Sequence, residues 1–423
     1  MKEVKAAGNI LEKIQKDICS KAFREKYFSS DNKNFSRKRK MPLDKLIRFL
    51  MEQSTKSYDI KLSDWLEVNE ESELAELSKQ AVSKGRQKLP VEIFRDIFQH
   101  SAEHFQKEVK NKKMWRGYQI LAIDGTTVQI PTTEETLAYF GEIGTRYEKP
   151  ISLAAASAIY DVINGVMLSS VIRPYRTAER EMAKELIETV IPIIEKENTI
   201  VLFDRGYPGY EFLEYLTDRG ITYVIRVKKQ MSRLRSEGNR EGEVYRKCGK
   251  KCRTIRTLEI ELEGGEEKQE YLITNIPKER VSYHSFEELY QMRWGIEGKY
   301  REIKCQLELE AFSGKKPICI EQDYYIAMFL SNISGLIKNT VDEKLEKENK
   351  GRTEYQANRG YIIHELNRML SRMLGKKLDI EETIEKIIKK SEKKRSQIRR
   401  NRKCERNKNL NRRKYSMTYK SCI

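Results

Sequence analysis

The sequence predicts an α/β protein whose central sheet opens with antiparallel strands and continues with parallel ones. Three observations predict it. Short apolar runs recur in the middle of the chain, bounded by Gly, Pro and Asp. Their order is strands first, then helix, strand, helix, strand, the alternation that builds parallel neighbours. On either side of that middle, apolar residues recur at helical spacing instead.

Residues 1–112 are expected to form a helical DNA-binding domain. Pro42–Met51 is an amphipathic run with proline in its first turn. Leu74–Leu89 is a second, carrying Ser78, Lys79, Ser83, Lys84, Arg86 and Lys88, and Pro90–Val109 is a third. Basic residues also cluster at Arg37–Lys40. A small helical unit with one basic face suits DNA reading. The same pattern also fits a helical bundle with a solvated charged face.

Residues 113–228 read as the first part of the α/β core. Tyr118–Asp124 is a short buried strand, Asp124-Gly125 a turn signal, and Thr126–Ile130 a second, alternating strand ended by Pro131. Ile151–Tyr160 and Val166–Ile172 make a strand pair about a turn at Asp161–Gly165, and Ala178–Ile194 is a helix. Thr199–Asp204 is another buried strand that closes on aspartate. Tyr210–Asp218 is a helix capped at Gly220, and Ile221–Val227 a further strand.

Residues 229–282 break the pattern. Arg253–Leu262 alternates strictly, Gly264-Gly265 is a hairpin signal and Glu270–Thr274 returns, so a β-rich insertion is expected. Residues 283–315 bring the chain back to the core. Tyr290–Lys304 contains no proline and follows Ser285-Phe-Glu-Glu288, a capping-box pattern, so it is expected to be one helix. Wound at about 100° per residue, Leu289, Met292, Ile296, Tyr300, Ile303 and Leu307 fall within an arc of about 80°. Tyr290, Arg293, Glu297 and Lys304 fall within an adjoining arc of about 60°. Residues 316–388 are again helical, with Tyr324–Lys338 and Tyr361–Leu374 as core-forming runs, and residues 389–423 form a basic tail.

Composition narrows the partners. The 423 residues carry 82 Lys and Arg against 64 Asp and Glu, a net charge of +18. Lys389–Lys420 alone holds 15 basic and 2 acidic residues, so most of the excess is local. That field points to nucleic acid before membrane, and the tail is expected to stay disordered until it meets a phosphate backbone. No apolar run is long enough to span a bilayer. The N-terminus lacks a signal-peptide apolar region, and seven scattered cysteines fit a reducing cytoplasm. Cys248 and Cys252 are a single close pair without a second, a weak zinc signal.

Asp124 and Asp204 each close an apolar strand, and in α/β sheets such positions gather in one crevice. A helix packed on the sheet can bring Glu297 there. Three carboxylates make a hard, oxygen-rich site suited to Mg²⁺ or Mn²⁺, two ions of which can serve in-line phosphoryl transfer. Arg293 and Lys304 share the Glu297 face, Tyr290 can bond a phosphate oxygen, and Trp294 can stack on an unpaired base. Each residue has a plainer reading too: a strand-terminal Asp is often a turn residue, and Trp294 fits a core. The four histidines lie outside these motifs, which argues against covalent hydrolase chemistry.

The motifs together resemble one family. Tyr290, Arg293, Glu297 and Lys304, separated by two, three and six residues, resemble the Tyr-Arg-Glu-Lys signature of the insertion-sequence-four family of bacterial DDE transposases. Ile123-Asp-Gly-Thr126 and Phe203-Asp-Arg-Gly-Tyr207 resemble that family's two aspartate motifs. The resemblance covers roughly Leu43–Ile337 and departs at none of the matched positions. It implies an RNase H-like catalytic core, with Asp124, Asp204 and Glu297 as the metal-binding triad. It implies that Tyr290, Arg293 and Lys304 contact transposon-end phosphates. It further implies inverted-repeat binding by the N-terminal helices, a homodimer in a synaptic complex, and cleavage followed by strand transfer into target DNA. A bacterial cytoplasmic, nucleoid-associated protein is expected. The alternatives are an inactive transposase-derived DNA-binding protein and another RNase H-like nuclease.

Overall fold

The structure, a computed structural model, describes residues 2–29, 31–36, 40–54, 56–71, 77–144, 150–232, 240–248, 251–261, 269–348 and 354–398. Most of the Arg37–Lys40 cluster, the Gly264-Gly265 turn and the tail from residue 399 lie outside them, as do the side chains of Cys248 and Cys252. The chain divides into two compact units. One gathers residues 1–109, 128–154 and 302–423, the other residues 110–127 and 155–301. The N-terminal and C-terminal helical regions expected as separate domains therefore build one unit.

The first unit is organised on the helix Pro317–Glu348, with proline in its first turn. Its buried residues run without interruption from Tyr324 to Ile337. A helix apolar on all sides is covered on all sides. Here the helices Lys2–Ile18, Glu92–Glu108, Arg359–Leu374 and Ile380–Lys393 surround it. Two of the polar side chains inside are paired: Asn332 donates to the Ser101 hydroxyl at 3.0 Å and Gln322 to the Leu89 carbonyl at 2.8 Å. Unpaired, each would cost about 1–3 kcal/mol.

Two expectations for this unit are corrected. The basic run from Lys389 does not begin a disordered tail, because Ile380–Lys393 is helical and Arg395–Gln397 pairs antiparallel with Tyr355–Ala357. The apolar face of that helix, including Ile384, Ile387 and Ile388, is buried and holds its basic residues in place. Arg86, read as part of a basic face, is buried instead. It donates to Gln322, to the Cys319 carbonyl and to Asp323, the last at 2.8 Å. The helix carrying it is shorter than expected, Lys79–Arg86. We expect Arg86→Leu to cost about 3–5 kcal/mol, since it leaves the Asp323 charge without its buried partner. Urea unfolding measures this; a loss under 1 kcal/mol would show the network to be dispensable.

The second unit contains the sheet. Its strands are β1 (Gln119–Gln129), β2 (Glu142–Ile143), β3 (Ile151–Asp161), β4 (Val166–Pro174), β5 (Thr199–Phe203), β6 (Thr222–Val227), β7 (Glu241–Cys248), β8 (Lys251–Glu261) and β9 (Gln269–Thr274). Strand β2 and the first residues of β3 fall in the first unit. The order is β2-β3-β1-β5-β6-β9-β8-β7, with β4 on β3. Strands β3 and β4 form a hairpin whose turn closes with the Gly165 amide on the Asp161 carbonyl at 2.9 Å, Gly165 taking φ +71°. Strands β1, β5 and β6 are parallel neighbours. This is the predicted antiparallel opening and parallel continuation.

Two differences concern the sheet. Asp124-Gly125 makes no turn, because β1 runs straight through it. Gly125 takes no positive φ, and strand pairing holds the segment extended. The β-rich insertion is present and does more than interrupt the core: β9 pairs antiparallel with β6, and β8 and β7 follow, so it extends the same sheet.

Candidate active site

Register places the two aspartates. Ile120 to Ile123 are fully buried in β1, as is the whole of β5. The strands are parallel, with Ile123 opposite Phe203. Asp124 and Asp204 are each the next residue, so they follow side by side on strands about 4.8 Å apart. The backbone at Asp124 is pinned. Its carbonyl accepts from the Tyr300 hydroxyl at 2.8 Å and the Ser157 hydroxyl at 3.0 Å. Its own Oδ1 accepts from the Gly125 amide at 2.9 Å.

The helix expected over Tyr290–Lys304 is interrupted. One helix covers Phe286–Gln291, and a second covers Trp294–Gln306. Between them the amides of Arg293, Gly295 and Ile296 bond three residues back, not four. Such tight turns are common at helix ends, and Gly295 is a poor helix former. A side chain at Gly295 would also meet Val162 at 3.4 Å. The Ser285 capping box is absent as well. Ser285 caps nothing with its side chain, which lies 3.0 Å from Ser282 Oγ, because a 3₁₀ turn over Tyr283–Ser285 already leads into the helix.

The break turns Arg293 inward. It is 1% exposed. Its Nη1 donates to Glu297 Oε1 at 2.9 Å and lies 3.7 Å from Asp124 Oδ2. The guanidinium also covers the Trp294 ring at 4.6 Å. Burial works against its charge, but Tyr290, Asp204 and Glu297 together outweigh that and keep it protonated. The site thus holds three carboxylates and one buried cation. Burial pushes the Asp124 carboxyl up to about 6; the Gly125 amide and Arg293 oppose this, and Glu297 and Asp204 add to it.

The structure brings Asp124, Asp204, Arg293 and Glu297 together. Trp294 is half exposed beside them. Tyr290, read as a phosphate contact, is 2% exposed, and its hydroxyl donates to the Phe203 carbonyl at 3.2 Å. Packing on the end of β5 takes it away from solvent. Lys304, on the same helix, falls in the other unit and pairs there with Glu310 at 3.3 Å. Tyr300 was legible only as part of the apolar stripe, and Ser157 carried no signal in the sequence.

The donor set fits a hard divalent cation. All its donors are carboxylate oxygens, and Asp204 Oδ1 is buried without a hydrogen-bond partner. Among the described residues, no three His, Cys, Asp or Glu side chains are close enough to hold one ion as they stand. The Arg293 guanidinium stands between Asp124 and Glu297 and supplies the positive charge there.

The chain is similar to known transposases. The chain is 25% identical over 186 residues to "Putative transposase InsZ" of Escherichia coli (strain K12), covering 44% of this chain and 60% of that one. It is 25% identical over 276 residues to the transposase InsG for insertion sequence element IS4 of the same strain, covering 61% of this chain and 60% of that one. The chain thus spans about three fifths of the length of these curated relatives. A solved piggyBac transposase synaptic complex with hairpin DNA aligns at a TM-score of 0.48 and 12% identity, covering 89% of this chain and 85% of that one. The family model for the transposase DDE domain matches residues 115–333, more than half of the chain and the stretch that carries Asp124, Asp204 and Glu297, and the chain belongs to that family.

Proposed function

We propose that this chain is a DNA transposase that cuts at the ends of an insertion sequence and joins them to target DNA by divalent-metal-dependent phosphoryl transfer. The observation that carries the reading is the convergence of Asp124, Asp204 and Glu297 on one buried guanidinium. These three would hold Mg²⁺ or Mn²⁺, two ions per site. A divalent ion held there would activate a hydroxyl nucleophile and stabilise the leaving oxygen.

The remaining roles belong to the chain itself. Tyr300 and Ser157 fix the backbone at Asp124, so its carboxylate is presented in one orientation. Arg293, once off Glu297, can bond a phosphate oxygen with its planar fork. Trp294 offers an exposed ring to an unpaired base. Tyr290 keeps the end of β5 in place, and would reach a phosphate only by leaving the Phe203 carbonyl. Lys304 would reach a phosphate only by leaving Glu310. The partners proposed are transposon-end and target DNA, with two copies of the chain in the synaptic complex. No helix among the described residues is long and apolar enough to cross a membrane.

The test is cleavage of labelled DNA carrying the element's terminal repeat, with Mg²⁺, Mn²⁺ or EDTA. We expect nicking at the repeat boundary that needs the ion. Tight repeat binding with no nicking under any condition would favour a non-catalytic DNA-binding protein.

A further inference from the structure

Two glycines follow the two aspartates, Gly125 directly and Gly206 two residues on. Neither takes the positive φ that asks for glycine. What they leave is room, and one side chain fills it. A Cβ on Gly125 would stand 3.3 Å from Glu179 Oε1, and one on Gly206 would stand 2.9 Å from Glu179 Oε2. One carboxylate therefore lies across the backbone just beyond both Asp124 and Asp204.

The plain account of Glu179 is a favourable charge at a helix start, since it opens the helix Glu179–Val190. Glu181 shares that turn and is engaged, with Lys184 at 2.9 Å. Glu179 makes no hydrogen bond or ion pair among the described residues. It turns instead toward the two aspartates, where like charges repel. A second group points the same way. Tyr207 is 1% exposed, and its hydroxyl is buried with no partner in hydrogen-bonding geometry. Ser157 lies beside it but donates to the Asp124 carbonyl. The charges that act on that hydroxyl are Asp124, Glu179 and Asp204. A buried hydroxyl without a partner among three carboxylates is a group that the bound water of a cation held there would satisfy.

We propose that Glu179 is a fourth carboxylate of the metal site, binding a divalent cation shared with Asp124 and Asp204, and that Tyr207 holds a water on that cation. This rests on the metal-dependent reading above. Gly125 and Gly206 are then the clearance through which Glu179 reaches the ion.

The experiment is Mn²⁺ binding to the full chain, read by electron paramagnetic resonance without DNA or turnover. The proteins are wild type, Glu297→Gln, Glu179→Gln, Glu181→Gln, Gly206→Ala and the Glu179→Gln, Gly206→Ala double variant. Glu179 and Glu181 are exposed, so neither substitution threatens the fold. We expect Glu179→Gln to weaken the tighter Mn²⁺ at least tenfold and Glu181→Gln to leave it unchanged. Gly206→Ala, which displaces the carboxylate, should weaken binding too and add little in the double variant. If Glu297→Gln weakens Mn²⁺ binding and Glu179→Gln matches wild type, the fourth ligand is overturned while the three-carboxylate site stands. Wild type that binds no Mn²⁺ overturns both.

Discussion

Glu297→Gln should reduce DNA nicking at least about a thousandfold while leaving the protein folded and bound to its repeat. The size follows from the chemistry. Charge stabilisation by a bound ion is worth several kcal/mol, and about 4 kcal/mol corresponds to about a thousandfold in rate. The fold should survive because the Glu297 side chain is 39% exposed and its helix is anchored elsewhere, by the fully buried Ile296 and by Tyr300. Asp124→Asn should abolish nicking equally, with the opposite mark on stability. Burial and two neighbouring carboxylates disfavour the Asp124 charge, so the neutral amide should leave the metal-free protein no less stable than wild type. Strand cleavage on labelled repeat DNA and thermal melting in EDTA read the two effects. Nicking within tenfold of wild type for both variants would remove these carboxylates from the chemistry.

The parts of this protein that local pattern dictates were legible in its sequence. Strands β5 and β6 and the hairpin of β3 with β4 follow from short apolar runs set off by turn residues. Asp204 follows from its place at the end of one of them. Asp124 follows likewise from the end of an apolar run, but the Asp-Gly turn signal beside it misleads about where the strand stops. Here β1, paired with β3, runs on through it, although its pairing with β5 ends at Ile123. The helix break at Met292 and Arg293 was not legible, because no proline marks it. It lies where Gly295 comes close to Val162, a contact between segments more than a hundred residues apart. Arg86 and Tyr290 show the same limit. A helical wheel gives a residue's direction but not whether another element covers it, and both are covered. Glu179 is the extreme case: an acid in a first helical turn has an ordinary explanation, and only the space above Gly125 and Gly206 gives it another.

The break also sets up the other large effect. Arg293 sits where a cation is wanted, 2.9 Å from Glu297 and 3.7 Å from Asp124, and its own Nε has no partner. A divalent ion held by the same carboxylates would displace that guanidinium. Arg293→Gln should therefore do two opposite things. In EDTA the protein should lose about 2 kcal/mol, less than the roughly 3–5 kcal/mol of a fully buried pair, because Glu297 is partly solvated. With Mn²⁺ added, the variant should regain more stability than wild type gains, since the ion no longer competes with the guanidinium. A cation that binds only the folded state stabilises by mass action, so tighter binding appears directly as a larger melting shift. Nicking should still fall, because the freed arginine is the group proposed to hold the phosphate. Tighter metal binding with poorer cleavage distinguishes this from a plain metal ligand, whose loss weakens both. An equal Mn²⁺ shift in the two proteins would mean that the guanidinium and the ion occupy separate places, and that Arg293 serves only the DNA.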